Sequence, residues 1–112
     1  MNRTIHFLEK IFAAKEIYSS PTAKYFLING LWIALNTGES LSERTYNHIA
    51  FSTLDDDFDE YVRRIEDIGV EILERREHIA GEGRSIYFYD YDNHLFELHT
   101  GSLEKRLECY NK

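Results

Sequence analysis

Apolar residues recur along the chain at two periods, and the changes of period mark its elements. Residues 3 to 14 set Ile5, Leu8, Ile11 and Phe12 on one helical stripe, with Glu9, Lys10 and Lys15 left for the wet side, which predicts an amphipathic helix. A short strand follows at Glu16-Ile17-Tyr18, and Pro21 among Ser and Thr marks a loop. Tyr25 to Ile28 and Leu31 to Leu35 are apolar runs joined by Asn29-Gly30, the dipeptide that best tolerates positive backbone dihedrals, so they predict a tight hairpin. Thr37 to Arg44 is polar and reads as a connector.

In the second half Tyr46 to Ser52 alternates with period 2, placing His48, Ala50 and Ser52 on one face of a strand and Ile49 and Phe51 on the other. Leu54, Phe58, Tyr61, Val62, Ile65 and Ile68 then keep helical spacing, with Asp55, Asp56 and Asp57 in the first turn and Gly69 at the end. Val70 to Arg75 predicts a strand, residues 78 to 83 a loop, and Ser85 to Tyr89 with His94 to His99 a second hairpin. The order of residues 3 to 36 (helix, strand, loop, hairpin) thus returns in residues 46 to 99 with one strand more in front. This predicts an α+β fold of paired βαβββ modules in one domain. Residues 1–36 form an incomplete first module, 37–45 a connector, 46–99 the second module, and 100–112 a tail with a short helix on Leu103, Leu107 and Tyr110. On this reading the opening strand of the first module would have to lie before Met1.

Composition narrows the function classes. With 112 residues, 43% hydrophobic and 14% aromatic, the chain can build one core. Its 13 Lys plus Arg against 20 Asp plus Glu give a net charge of -7, which argues against a nonspecific grip on nucleic acid or an anionic membrane. Apolar runs fall short of the roughly 20 residues that span a bilayer, and charge interrupts any secretion-signal core at the start. A single cysteine, Cys109, forms no internal disulfide, which points to the cytoplasm and to a packing role.

Among residues that carry chemistry, His48 and Glu97 come first, each on a predicted strand with its parity turned away from bulky neighbours. An imidazole nitrogen and a carboxylate oxygen suit a divalent metal of intermediate hardness such as manganese, iron or zinc; two ligands 49 positions apart are equally compatible with an ordinary polar strand face. His99 shares parity with Glu97 as a third ligand or a partner of a ligand, and His94, beside a turn, reads as structural. Ser85, Tyr87 and Tyr89 present hydroxyls along one face, suited to a polar ligand or simply to an exposed sheet. Arg106 can clamp an anionic oxygen group or lie solvated beside Glu104 and Glu108. The acidic run Asp55 to Glu60 is a helix start, and Gly81-Glu82-Gly83 is too short and acidic for a phosphate cradle.

Three stretches then resemble one family. Glu43-Arg44-Thr45-Tyr46-Asn47-His48-Ile49-Ala50-Phe51, Gly81 to Asp90, and Asp92-Asn93-His94-Leu95-Phe96-Glu97-Leu98-His99 are similar to the fosfomycin-resistance proteins of the vicinal oxygen chelate (glyoxalase-like) superfamily, and most to its FosX-type epoxide hydrolases. The likeness continues through Thr100 to Leu107 and includes Ile17-Tyr18-Ser19-Ser20 and Gly30-Leu31-Trp32-Ile33. It implies a homodimer of paired modules around a manganese-type ion, with His48 and Glu97 as two ligands. It also implies that Tyr87 and Arg106 contact the phosphonate of fosfomycin, that Trp32 and Tyr46 wall the pocket, and that the epoxide is opened by added water. Two departures accompany it. The family's first strand, with another metal-binding His, precedes Arg3, and His6 does not replace that ligand. The segment from Ser20 to Lys24 is short, which puts Ala23 where the hydrolases carry a general-base Glu. The alternative is therefore a catalytically impaired or truncated family member, acting at most as a metal- or small-anion-binding domain.

Overall fold

The computed structural model describes residues 2–28, 30–79 and 83–100, with the side chains of 77–79 outside that description. The predicted terminal helix, Cys109 and Arg106 lie outside the described residues. Two helices and seven strands follow in the order α1 (Asn2–Phe12), β1 (Lys15–Ser19), β2 (Ala23–Ile28), β3 (Leu31–Asn36), β4 (His48–Thr53), α2 (Asp55–Ile68), β5 (Ile72–Ile79), β6 (Gly83–Tyr89) and β7 (Leu95–Thr100). Among the described residues no helix is long and apolar enough to cross a membrane.

The helices end where local chemistry stops them. Gly69 takes φ +74° and donates its N–H to Glu66 O at 3.1 Å, closing α2 with a left-handed residue that glycine adopts without a Cβ penalty. At the end of α1 the same job falls to Ala13, at φ +51°, flanked by Ala13 N–H to Glu9 O (3.1 Å) and Ala14 N–H to Leu8 O (3.3 Å). Gly30 at φ +84° supplies the positive dihedral of the β2–β3 turn.

The strands form two sheets, β1-β2-β3 and β4-β7-β6-β5. All pairings are antiparallel except β4 beside β7, which runs parallel with Ala50 opposite Glu97 and Ser52 opposite His99. Both helices pack on one side of the sheets. Phe7, Leu8, Ile11 and Phe12 of α1 and Phe58, Val62 and Ile65 of α2 meet Phe26, Ile28, Ile86, Phe88, Phe96 and Leu98 in one core. Phe7 lies 5.1 Å from Phe96 and 5.8 Å from Phe88 between ring centres, and each fully buried aromatic removes roughly 1.5–3 kcal/mol of apolar surface from water. Arg84 fastens the start of α2 to β6: its guanidinium reaches Asp55 Oδ1 (3.2 Å), Asp59 Oδ1 (2.8 Å) and Asp55 O (3.0 Å) across the Phe58 ring. The acidic run thus serves a tie to the sheet as well as the helix start.

A cavity of about 590 Å³ lies beneath α1, walled by Leu8, Leu35, Ile49, Asp92 and Phe96. The consecutive residues from Ile33 to Ser40 also line it, so it runs along the outer edge of β3 rather than over a sheet face. In the second sheet β4 takes the corresponding place beside β7.

Several boundaries differ from the sequence expectation. β4 begins at His48, so Tyr46 and Asn47 precede the strand instead of opening it. β5 runs Ile72–Ile79 rather than Val70 to Arg75, because an edge strand exposed on both faces has no apolar alternation to reveal its limits.

Candidate functional site

The face of the second sheet turned away from the helices carries the candidate residues in rows set by the strand register. His48 lies opposite Leu95; Ala50, Glu97, Tyr87 and Glu74 form the next row; Ser52, His99, Ser85 and Arg76 the row after. Parity alone delivers the side chains of β4, β6 and β7 to this face, since Phe88, Phe96 and Leu98 on the opposite parity are spent in the core.

His48 Nε2 stands 3.0 Å from Glu97 Oε1, with side-chain exposures of 22% and 3%. His48 Nδ1 lies 2.8 Å from Tyr46 O, so Nδ1–H donates to that carbonyl and Nε2 is the ring nitrogen that faces the carboxylate. An imidazole nitrogen and a carboxylate oxygen at this distance call for a proton or a cation between them. Two ligands at about 2.1 Å from one cation, at right angles to each other, stand about 3 Å apart. The pair therefore fits a divalent ion in spacing, in tautomer and in donor type.

Aromatic rings frame the pair. Tyr46 stacks on Tyr87 with centroids 5.9 Å apart and planes at 27°, and His48 meets both rings edge-on at 5.2 and 5.3 Å. Burial, the hydrogen bond with Tyr46 and the negative charge of Glu97 all push the Tyr87 phenol above its ordinary range, so it remains a protonated donor at neutral pH. Ser85, Tyr87 and Tyr89 are buried, not the exposed row that the sequence also allows.

The structure brings His48, Glu97, Tyr46 and Tyr87 together. Trp32 is elsewhere: it is 61% exposed on the open face of the first sheet, its ring 5.3 Å from Tyr25, which in turn lies 4.8 Å from Tyr18. Ala23 is on β2 of that sheet, after a tight turn in which Ser20 Oγ accepts Ala23 N–H at 3.1 Å. His99 does not gather with them: its Nε2 is 3.3 Å from Ser52 Oγ, and among the described residues no group of three His, Cys, Asp or Glu side chains gathers around one point. His94 holds a turn through Asp90 Oδ2 at 2.8 Å. Two cations escape the sequence reading. Arg76 lies 5.5 Å from the centre of the Tyr87 ring, and Arg44 lies 4.0 Å from that of Tyr89. For Arg76 the signal is its parity with Glu74, which a strand bounded at Arg75 leaves out.

Comparison with known proteins gives a consistent picture. Residues 1–98 match the model of the Glyoxalase/Bleomycin resistance protein/Dioxygenase superfamily. The fosfomycin resistance protein FosX of Listeria innocua is 57% identical over 119 aligned positions, covering 100% of this chain and 90% of the relative. Since this chain has 112 residues, the alignment passes positions that it lacks. The crystal structure of FosX from Listeria monocytogenes complexed with Mn(II) and sulfate superposes with a TM-score of 0.90 at 60% identity, covering 97% of this chain and 87% of the other. A single-residue variant of the same protein, complexed with Mn(II) and 1S,2S-dihydroxypropylphosphonic acid, gives 0.90 at 59% over the same shares. The mixed α+β fold with its two sheets is that of these structures.

Proposed function

Because the chain belongs to the Glyoxalase/Bleomycin resistance protein/Dioxygenase superfamily, we propose that it is a metal-dependent fosfomycin-resistance enzyme that opens the epoxide of that phosphonate by adding water. The observation that carries this reading is the His48 Nε2 to Glu97 Oε1 pair at 3.0 Å, with the other imidazole nitrogen committed to Tyr46 O. His48 and Glu97 would hold the ion, Mn(II) by likeness to the relatives' complexes. Once bound, the ion supplies a Lewis acid that draws charge off the epoxide oxygen.

The chain's own groups bind and orient. Tyr87, kept protonated, donates a hydrogen bond to a phosphonate or epoxide oxygen, and Arg76 beside its ring provides positive charge for the phosphonate. Tyr46, stacked on Tyr87, closes one side against water. Arg106 joins this set by the resemblance. The exposed aromatic face of the first sheet, with Trp32, supports a homodimer in which that face covers the open site of the second copy. The lone cysteine supports a cytoplasmic setting.

A second reading, binding with impaired or no turnover, is favoured by Ala23, the position that by the resemblance corresponds to the water-activating carboxylate of the hydrolases. Loss of a general base removes about 10²- to 10⁴-fold in rate. Phosphorus NMR of fosfomycin with the chain and Mn(II) separates the two: appearance of the diol phosphonate supports the enzyme, and binding with no product supports the second reading. Titration calorimetry with Mn(II) tests the site beneath both. Binding is expected to vanish in His48→Ala and Glu97→Ala, and isotherms unchanged in both variants would refute the assignment.

A further inference from the structure

The two sheets repeat one plan up to a point. In each, three strands pair antiparallel in chain order, so β3 in the first answers to β7 in the second. Beside β7 the second sheet carries β4, parallel to it and six residues long. Beside β3 no strand pairs among the described residues, and the cavity of about 590 Å³ runs there instead.

The side chains along this gap have the parity of a core and the exposure of a surface. Ile33 lies opposite buried Phe26 and Leu31 opposite buried Ile28, so Leu31, Ile33 and Leu35 all sit on the helix side of β3. Yet Leu31 is 47% exposed, and Ile33 and Leu35 are only half-buried. In the opposite wall Ile49 of β4 also has the core-facing parity and is 51% exposed. A compact apolar ligand could cover these groups but would leave the N–H and C=O groups on the outer edge of β3 without partners. An extended peptide meets both needs at once.

Charge narrows the ligand further. Of the ionisable groups that line the gap, Arg3 is taken by Asp92 at 2.9 Å and His94 by Asp90 at 2.8 Å. Glu39 is exposed at the end toward which β3 runs and has no partner among the described residues. On a chain of net charge -7, that end favours a basic residue.

We propose that the gap between β3 and β4 is a strand-binding groove, and that its ligand is a separate extended peptide of about six residues, parallel to β3, apolar at alternate positions and basic at its C-terminal end beside Glu39. The direction follows from β4, which fills the corresponding place parallel to β7. Binding gives the first sheet the four-strand order of the second. The apolar side chains of the peptide cover Ile33, Leu35 and Ile49, and the alternate ones emerge on the open face beside Trp32 and Ala34. The groove involves neither His48 nor Glu97, so it stands apart from the metal reading.

The test uses the full chain. The probe is a synthetic peptide with the sequence of residues 47–53, the segment containing the strand beside β7, followed by two lysines. Titration calorimetry is expected to show saturable one-to-one binding, and amide hydrogen exchange to slow along residues 33–40. A nitroxide on the C-terminus of the peptide should broaden the amide signals of Gly38 to Ser40 and spare those of Leu31 and Trp32. Ile49→Asp should weaken binding about tenfold and Glu39→Lys about fivefold. Glu39→Lys alters an exposed position and decides the matter if Ile49→Asp fails to fold. Aspartate in place of the two large apolar residues of the peptide should abolish binding. No saturable binding below about 1 mM, affinity unchanged in Glu39→Lys, or broadening at the Leu31 end overturns the proposal. So does protection of the β3 amides without peptide that is lost on dilution of a dimer, which would put a second copy in the groove.

Discussion

Replacing Glu97 by Gln separates what the carboxylate does for a cation from what it costs the fold. Glu97 is 2% exposed. A carboxylate so buried carries a desolvation penalty of several kcal/mol when no cation accompanies it, and an amide of the same shape carries much less. The amide also suits a neutral imidazole: its NH₂ can donate to the unprotonated Nε2 that faces the Oε1 position from 3.0 Å, and its oxygen can still accept from Tyr87. One added hydrogen bond and part of the relieved desolvation give a gain of about 1–2 kcal/mol for Glu97→Gln in chelator, or a rise of very roughly 4–10 °C in Tm for a chain of this size. With Mn(II) at about 100 times its Kd the wild-type chain gains about 2.7 kcal/mol and the variant gains nothing. The order of stability therefore inverts: variant above wild type in chelator, wild type above variant in Mn(II). Urea unfolding followed by far-ultraviolet circular dichroism, with and without the ion, reads both differences. A variant less stable than wild type in chelator, or one that Mn(II) stabilises as much, would refute the reasoning.

Other positions give independent checks. Asp92 accepts from Arg3 (2.9 Å), Thr4 (3.0 Å) and Ser40, tying α1 and the connector to the β6–β7 turn, and Asp92→Ala should cost about 2 kcal/mol in urea unfolding. The Ser40 hydroxyl first, then Thr4 and Arg3, hold its carboxyl below the ordinary value, so its contribution is full above about pH 4 and is lost as the pH falls through the folded value; Asp92→Ala should flatten the acid limb of the stability profile there. A Cβ on Gly83, at φ +77°, would stand 2.4 Å from Thr100 Oγ1 and 2.8 Å from Thr100 O, so Gly83→Ala should lose about 2–4 kcal/mol and the Arg84 N–H to Thr100 Oγ1 bond with it, seen as a lowered Tm. Ala13→Gly should instead stabilise by about 0.5–1 kcal/mol in the same assay, since the left-handed cap of α1 now carries a Cβ.

What was legible in the sequence was what short-range periodicity controls. α2, with its stripe from Phe58 to Ile65 and its stop at Gly69, and the hairpin around Gly30 follow from spacing alone. So does the face that His48 and Glu97 share, since both strands alternate; their meeting needs the parallel β4–β7 register as well, which spacing does not give. The parts that stayed hidden depend on register between distant strands. His99 had the right parity for a ligand, but the ladder sets it beside Ser52 and Ser85, one row from Glu97. Arg76 reaches the Tyr87 ring only because β5 shifts register against β6 between Ile72 and Glu74, an irregularity that polar, two-sided edge strands do not announce. Tyr46 reads as strand from its ring, yet its use to His48 depends on a carbonyl free of any ladder.

The two sheets share an order of strands but expose opposite chemistry. Tyr18, Tyr25 and Trp32 cross the open face of the first sheet as a ladder of uncharged rings, while His48, Glu97 and Arg76 occupy that of the second. This division suits a metal site better than two equivalent faces would. A cation held by one carboxylate and one imidazole gains most from a low-dielectric surrounding, because each remaining attraction strengthens as water leaves. Aromatic rings remove water without bringing charges that would compete for the ion or the phosphonate. In the proposed dimer the aromatic ladder of one copy thus completes the electrostatics of the other. Trp32, on the other sheet from His48 and Glu97, would in that dimer contribute through the partner's site. Trp32→Ala should accordingly leave Tm nearly unchanged, as expected for a side chain 61% exposed, yet weaken both Mn(II) binding and dimer formation in sedimentation. Unaltered association and unaltered Mn(II) affinity in that variant would show that the two faces do not meet.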